Sequence, residues 1–140
     1  MPLHITELQV LYILPVLQGY RPEEYLAHVQ HYGARLAHGA WVGVGSVCKR
    51  NGDPSAIRDV LYTIARARPD LRLHGFGVKR TALGSAIVRD YLYSADSMAW
   101  SYAARRQGRN ANDWREGATY ARSVAGHYDD LPMFEGVHHA

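Results

Sequence analysis

Residues 41–69 read WVGVGSVCKRNGDPSAIRDVLYTIARARP, and this stretch decides the fold class. Trp41 to Val47 form a short apolar strand rich in glycine. Asp53-Pro54 then supplies an N-cap acceptor followed by a proline at the first helical position, where a missing N–H costs nothing. Ile57, Val60, Leu61 and Ile64 recur at helical spacing and give the helix one buried face, and Pro69 marks its end. A strand running through a loop into an amphipathic helix is one βα unit.

Working outward, the same unit recurs. Upstream, Val10–Leu17 (VLYILPVL) is a continuous apolar run of the kind found in buried parallel strands. Pro15 cannot donate a ladder hydrogen bond, which suits an edge position. Arg21-Pro22-Glu23-Glu24 opens a helix with proline and acidic residues in its first turn, and Tyr25, Val29, Tyr32 and Leu36 make one apolar stripe. Downstream, Leu71–Val78 reads as a third strand, followed by a short helix around Ala86 to Leu92. A fourth strand is expected near Ser94 to Ser101. A last helix is expected from Asn112 to about Val124, with Trp114, Ala118, Ala121 and Val124 inward.

The first three strands begin about 30 residues apart, the size of a βαβ unit. Alternating strands and helices imply α/β with a parallel sheet. Four units are half of a (β/α)₈ barrel, which takes about 250 residues. Periodicity alone does not separate such a half-barrel from a small open sheet. A half-barrel predicts helices near 22–37, 54–68, 84–92 and 112–125, all on one face of the sheet. It also predicts that inner-face apolar residues, such as Leu11, Ile13, Val42 and Leu73 or their immediate neighbours, need cover from another half.

Composition sets the outer limits. A 140-residue chain with 47% hydrophobic and 21% charged residues suits one globular domain. Residues 1–126 are read as that domain and 127–140 as a tail. No apolar run is long enough to cross a bilayer and no signal-peptide pattern opens the chain, so a cytoplasmic protein without membrane contact is expected. A lone cysteine, Cys48, allows neither an internal disulfide nor a Cys-rich zinc site. The net charge of +3 is unevenly spread. Arg105, Arg106, Arg109, Arg115 and Arg122 face only Asp113 and Glu116 between Trp100 and Ala125. Such a patch suits phosphate contact, and equally a solvated helix face. His28 and His31 lie one helical turn apart, but with no carboxylate motif beside them no metal or cofactor is expected.

Ligands of parallel α/β folds sit beyond the carboxyl ends of the strands. Four unusual strings fall there: PVLQG (15–19), VGVGSVCKRNG (42–52), LHGFGVK (73–79) and SADSMAWSYAARRQGRN (94–110). Glycines inside strands give up packing, so they suggest close approach by a ligand or another backbone. Structural readings stand beside the functional ones. Asp96 suits a carboxylate ordering the arginine-rich loop, Gln18 a strand-end cap, and Trp100 a core side chain.

Together these strings resemble the strand ends of guanine transglycosylases, over roughly Val10 to Arg122. The resemblance is nearest to the branch associated with deazapurine modification of DNA, often phage-related, and more distant to the queuine tRNA-ribosyltransferases. It implies a TIM-barrel fold and exchange of guanine for a 7-deazaguanine base in nucleic acid, DNA rather than tRNA. Gln18, Gly19, Gly45 and Ser46 would then hold the purine edge, with Gly77 and Trp100 also lining the base site. Asp96 would be the nucleophile, forming a covalent glycosyl-aspartate intermediate as a retaining glycosidase does. Lys49, Arg50, Arg105, Arg106 and Arg109 would grip flanking phosphates.

The resemblance has two departures. The queuine branch has a zinc site with several cysteines, which this chain lacks. The family's second catalytic aspartate, the general acid/base, belongs to the N-terminal half of its barrel, and the four units here match the C-terminal half. Catalysis would therefore need a homodimer or an N-terminal half-barrel partner. The remaining alternatives are a non-catalytic nucleic-acid-binding remnant and a small α/β domain that binds a phosphorylated metabolite.

Overall fold

The computed structural model of the chain describes residues 11–50 and 52–129, with side chains as far as Gly126. Four parallel strands lie side by side in chain order: β1 (Val16–Leu17), β2 (Trp41–Val44), β3 (Arg72–Gly75) and β4 (Ser94–Ala95). Between them run α1 (Pro22–Tyr32), α2 (Pro54–Ala67), α3 (Arg80–Leu83) and α4 (Ala86–Tyr91). After β4 come α5 (Ala99–Arg106) and α6 (Trp114–Asp129). This is an α/β fold with an all-parallel sheet, consistent with a (βα)4 half-barrel. Parallel strands in monotonic order, joined by right-handed crossovers, require the connecting helices on one side.

The core sits on that side. Leu17, Val42, Val44 and Leu73 point from the sheet into one buried cluster with Tyr25 and Val29 of α1, Ile57, Val60, Leu61 and Ile64 of α2, and Val88 of α4. The α2 stripe is the one expected from its spacing, and Asp53 caps the helix by accepting from the Ala56 N–H at 3.1 Å. Burial of each such aliphatic side chain contributes roughly 1.5–3 kcal/mol. At the start of α1, one Glu24 oxygen accepts from the Tyr20 and Arg21 N–H groups at 2.5 and 2.8 Å. Those backbone bonds, Arg21 first, hold its carboxyl below the ordinary range.

Val42 and Leu73 therefore do not belong to an inner face awaiting cover; the chain's own helices bury them to 0% and 1% exposure. With a period of two, the opposite face carries Trp41, Gly43, Arg72 and His74, in the register Trp41↔Arg72 and Gly43↔His74. The first strand is also shorter than its apolar run: Leu11 and Ile13 are 82% and 80% exposed, and Val10 lies outside the described residues. β1 is an edge strand, as Pro15 demands, and Pro15 contributes its carbonyl, which accepts from the Gly43 N–H at 2.8 Å.

The C-terminal third differs most from the sequence reading. The strand expected over Ser94–Ser101 is two residues long and yields to α5, since Ala99-Trp-Ser-Tyr-Ala-Ala-Arg-Arg is rich in strong helix formers. α6 starts later than expected and runs further, and it packs mainly on α5 rather than on the sheet. Trp114 is 73% exposed and Ala121 is exposed, so neither points inward; Ala118 and Val124 are half-buried.

The amino ends of the strands are closed by an ion pair. The Arg68 guanidinium forks onto Asp70, with Nε to Oδ1 and NH2 to Oδ2 both 2.8 Å, and also donates to the Leu36 carbonyl at 3.1 Å. Asp70 Oδ2 further accepts from the Gly39 N–H at 2.9 Å. Arg68 and then the Gly39 N–H hold the Asp70 carboxyl far below the usual carboxylate range. A carboxyl with a depressed folded-state value stabilises the fold above its unfolded value, and that gain is lost as pH falls towards the folded value. Asp70→Ala should cost about 1–3 kcal/mol in urea unfolding at pH 7. Asp70→Asn should shrink the loss of stability that the unmodified protein shows on acidification below pH 4; an unchanged acid limb would assign that loss to other carboxylates.

Candidate active site

The ladder aligns the strand ends. Val16, Gly43, His74 and Ser94 are in register, and so are Leu17, Val44, Gly75 and Ala95. The next residues along, Gln18, Gly45, Phe76 and Asp96, therefore share the carboxyl rim. Three strand spacings separate Gln18 from Asp96, roughly 14 Å along the sheet.

At the β1–β2 end, the Ser46 hydroxyl donates to Gln18 Oε1 at 2.9 Å, and the Gln18 N–H donates to His28 Nδ1 at 2.9 Å. The missing side chain at position 45 makes room for Gln18. A Cβ there would lie 2.4–2.5 Å from the Gln18 amide, so the amide rests directly on the backbone. Gly45 is anchored from both sides: its N–H donates to the Leu17 carbonyl at 2.9 Å and its carbonyl accepts the Tyr25 hydroxyl at 2.7 Å. Ser46 has a φ of 64°, uncommon for a residue with a side chain, and this turns its hydroxyl back towards Gln18. Gly19 lies on the other side of Gln18, against Glu24 and Tyr25.

At the β3–β4 end, Asp96 Oδ1 accepts from the Gly77 N–H at 2.5 Å, and the Asp96 N–H donates to the Gly75 carbonyl at 3.2 Å. Gly77 has a φ of 64°, which glycine tolerates and which points its N–H at the carboxylate. The Asp96 side chain is 57% exposed. Its other oxygen lies 4.0 Å from Nε2 of His74, whose side chain is only 12% exposed. His74 Nδ1 is 2.8 Å from the Ser94 hydroxyl, which also accepts from Trp41 Nε1 at 3.0 Å. His74, Ser94 and Trp41 do not stand out in the sequence as site residues. The available signal is strand parity, which puts all three on the face opposite the core.

Asp96 stands between two clefts. The larger, 570 Å³, is lined by Ser97, Trp100, Tyr120 and Val124 among others; the second, 550 Å³, by Gly77, Lys79, Met98 and Tyr102. Trp100 has its indole 3.7 Å from where a Gly117 Cβ would be, so it joins α5 to α6 as well as lining the larger cleft. Met98 and Tyr102 are 69% and 63% exposed.

The basic residues divide. Arg105 and Arg106 are exposed on α5, with Arg106 over the Tyr102 ring at 5.9 Å. Arg109 is engaged: Nε and NH2 fork onto Glu116 at 2.6 and 3.1 Å, and NH1 reaches Gln107. Arg50 lies over the Tyr20 ring at 4.6 Å and beside the Tyr25 hydroxyl, while Lys49 is exposed at the same end. The structure thus gathers Gln18, Gly19, Gly45 and Ser46 into one group and Gly77, Asp96 and Trp100 into another on the same rim.

Gly45→Ala should leave the melting temperature within about 4 °C, because the atoms in its way end a flexible exposed side chain. It should nevertheless break the Ser46–Gln18 bond, visible as a shift of the Gln18 side-chain amide resonances. A larger stability loss with Gln18 undisturbed would mean that the glycine serves the ladder alone.

Among the described residues, no helix is long and apolar enough to cross a membrane. Searches of curated proteins and of solved structures find no match. The model of one protein family, described as DeoxyPurine in DNA protein A, matches residues 5–119. That span contains every strand among the described residues and both groups of rim residues, and the chain belongs to the DeoxyPurine in DNA protein A (DpdA) family.

Proposed function

We propose that this chain carries the nucleophile-bearing half of a guanine transglycosylase that exchanges guanine for a 7-deazaguanine base in DNA. Family membership supports the coarser part, a role in deazapurine modification of DNA. The observation that carries the finer part is Asp96, an exposed carboxylate held by a backbone N–H at the carboxyl rim of a parallel sheet. In such folds that rim is where chemistry occurs.

Asp96 attacks the anomeric carbon of a deoxyguanosine. An oxygen–carbon bond forms as the carbon–N9 bond breaks, and the electron pair leaves with guanine, which takes up a proton. The incoming base gives up a proton, attacks the same carbon and releases the carboxylate. Two displacements retain the anomeric configuration, as in retaining glycosidases. Gln18 offers a base edge both a donor and an acceptor, and Gly45 and Ser46 give it backbone and hydroxyl groups. The target base must leave the stack to reach the rim, and exposed Met98 and Tyr102 offer it or its neighbours a surface. Of the five cations named for phosphate contact, Arg105, Arg106 and Lys49 are exposed, whereas Glu116 competes for Arg109. A second half-barrel, from a second copy of this chain, an N-terminal partner or a preceding segment of the same polypeptide, closes the sheet and brings the general acid/base.

Exchange of labelled guanine in duplex DNA, with the protein alone and with an added N-terminal half, tests this reading. Asp96→Asn should abolish the covalent protein–DNA complex while leaving binding within a few-fold, because the amide keeps the shape without the attacking oxygen. Arg105→Ala with Arg106→Ala should weaken binding to all sequences and reduce the salt slope by about 0.9 for each phosphate no longer neutralised. Salt-dependent binding with no exchange in either setting would leave the non-catalytic binding module as the function.

A further inference from the structure

The sheet face opposite the core carries a connected set of groups that the proposed reaction does not use. Trp41, on β2, donates its indole N–H to the Ser94 hydroxyl at 3.0 Å. An indole nitrogen only donates, so this bond occupies a lone pair of the hydroxyl and leaves its hydrogen for the nearest acceptor. The nearest is His74 Nδ1, 2.8 Å away, in the tautomer that leaves Nδ1 bare. A neutral imidazole that accepts at Nδ1 carries its proton on Nε2. Nε2 faces Asp96 Oδ2 at 4.0 Å.

The ring is also confined by packing. Trp41 meets it edge-on at 5.6 Å and 89°, and Phe76 at 4.8 Å and 74°. Phe76 occupies the space above Gly43, where a Cβ would come within 2.3 Å of the ring. The strand glycine at 43 thus makes room for the aromatic side chain that walls His74 in. The Asp96 carboxylate has Oδ1 engaged by the Gly77 N–H, and its remaining oxygen is the one turned towards this partly buried imidazole.

We propose that His74 is a positioning residue for Asp96, held by Trp41, Ser94 and Phe76 so that its Nε2–H selects one orientation of the carboxylate. This rests on the reading of Asp96 as the nucleophile. The 4.0 Å separation is too long for a hydrogen bond, and such separations tighten or are bridged by water when substrate closes the site. With Gly77 on one oxygen and His74 addressing the other, the carboxylate has one donor for each atom. Displacing a nucleophile by about 1 Å costs on the order of 10²-fold in rate.

Two measurements on the full chain test the placement and the reaction separately. In histidine-labelled protein, the imidazole signal that disappears in His74→Phe should show a proton on Nε2 in the unmodified protein, and Ser94→Ala should shift it towards a tautomer mixture. A proton on Nδ1, or a signal indifferent to Ser94→Ala, overturns the proposal whether or not exchange is observed. In the guanine-exchange assay, His74→Phe should lower kcat about 10²-fold with KM for DNA within about threefold, since it keeps a flat aromatic side chain between Trp41 and Phe76 and removes the nitrogens. His74→Gln, whose amide N–H reaches the same place, should recover activity to within about tenfold of the unmodified protein. Equal activity of His74→Phe and the unmodified protein overturns the positioning role. Absence of exchange in the unmodified protein overturns the reading of the reaction instead, and the tautomer result still decides where His74 stands.

Discussion

The packing of α2 against β2 and β3 is the interaction on which the other features depend. Ile57, Val60, Leu61 and Ile64 meet Val42, Val44 and Leu73 in one cluster, and the neighbouring helices α1 and α4 rest on α2. Parity then does the rest. Once Val42, Val44 and Leu73 point to the helices, Trp41, Gly43, Arg72 and His74 must point the other way, and a slip of one residue would exchange the two sets. The polar and aromatic character of the open face is thus a consequence of the same register that buries the core.

This division explains what is legible in the sequence and what is not. The α2 stripe, the Asp53 cap, the Pro15 edge strand and the carboxyl-end clusters are local signals, set by spacing and by the backbone chemistry of Asp, Pro and Gly. Which face a short apolar strand turns to its helices is not local. Val42 and Trp41 are both apolar, and only the helices decide which is covered. The strand expected to reach Ser101 stops short for a related reason: Ser94-Ala95 has the strand register, but from Ala99 on helical propensity outweighs any pairing available beyond β4. α6 is legible as a helix, but its docking is not, because Trp114 looks like an anchor in sequence and is solvated in the fold.

The rim is legible at the level of strings and not of partners. Gly45 and Gly77 stand out as glycines at strand ends, but their purposes differ. At 45 the missing Cβ admits the Gln18 amide, while at 77 the positive φ turns an N–H towards Asp96. His74 lies inside one of the strings and still reads as an ordinary strand residue. Its meaning comes from Ser94 and Trp41, 20 and 53 positions apart from their respective partners, which meet only through the parallel ladder.

Two aspartates at opposite ends of the sheet contrast a carboxylate that holds the fold with the one proposed as the nucleophile. Asp70, just before β3, is 13% exposed and saturated by a two-pronged guanidinium and a backbone N–H. Its charge is compensated where it sits, and protonating or removing it disturbs the packing of the amino ends. Asp96, just after β4, is 57% exposed, with one backbone donor on one oxygen and a histidine beyond hydrogen-bonding distance of the other. Electrostatic compensation that fixes Asp70 would make a poor nucleophile, because each strong donor on a carboxylate lowers its readiness to give electrons to carbon. A carboxylate oriented by one N–H, with its second oxygen turned to the open face, keeps that readiness. The carboxyl ends of the strands, where loops rather than packed helices surround the side chains, are the part of this fold that can leave it so.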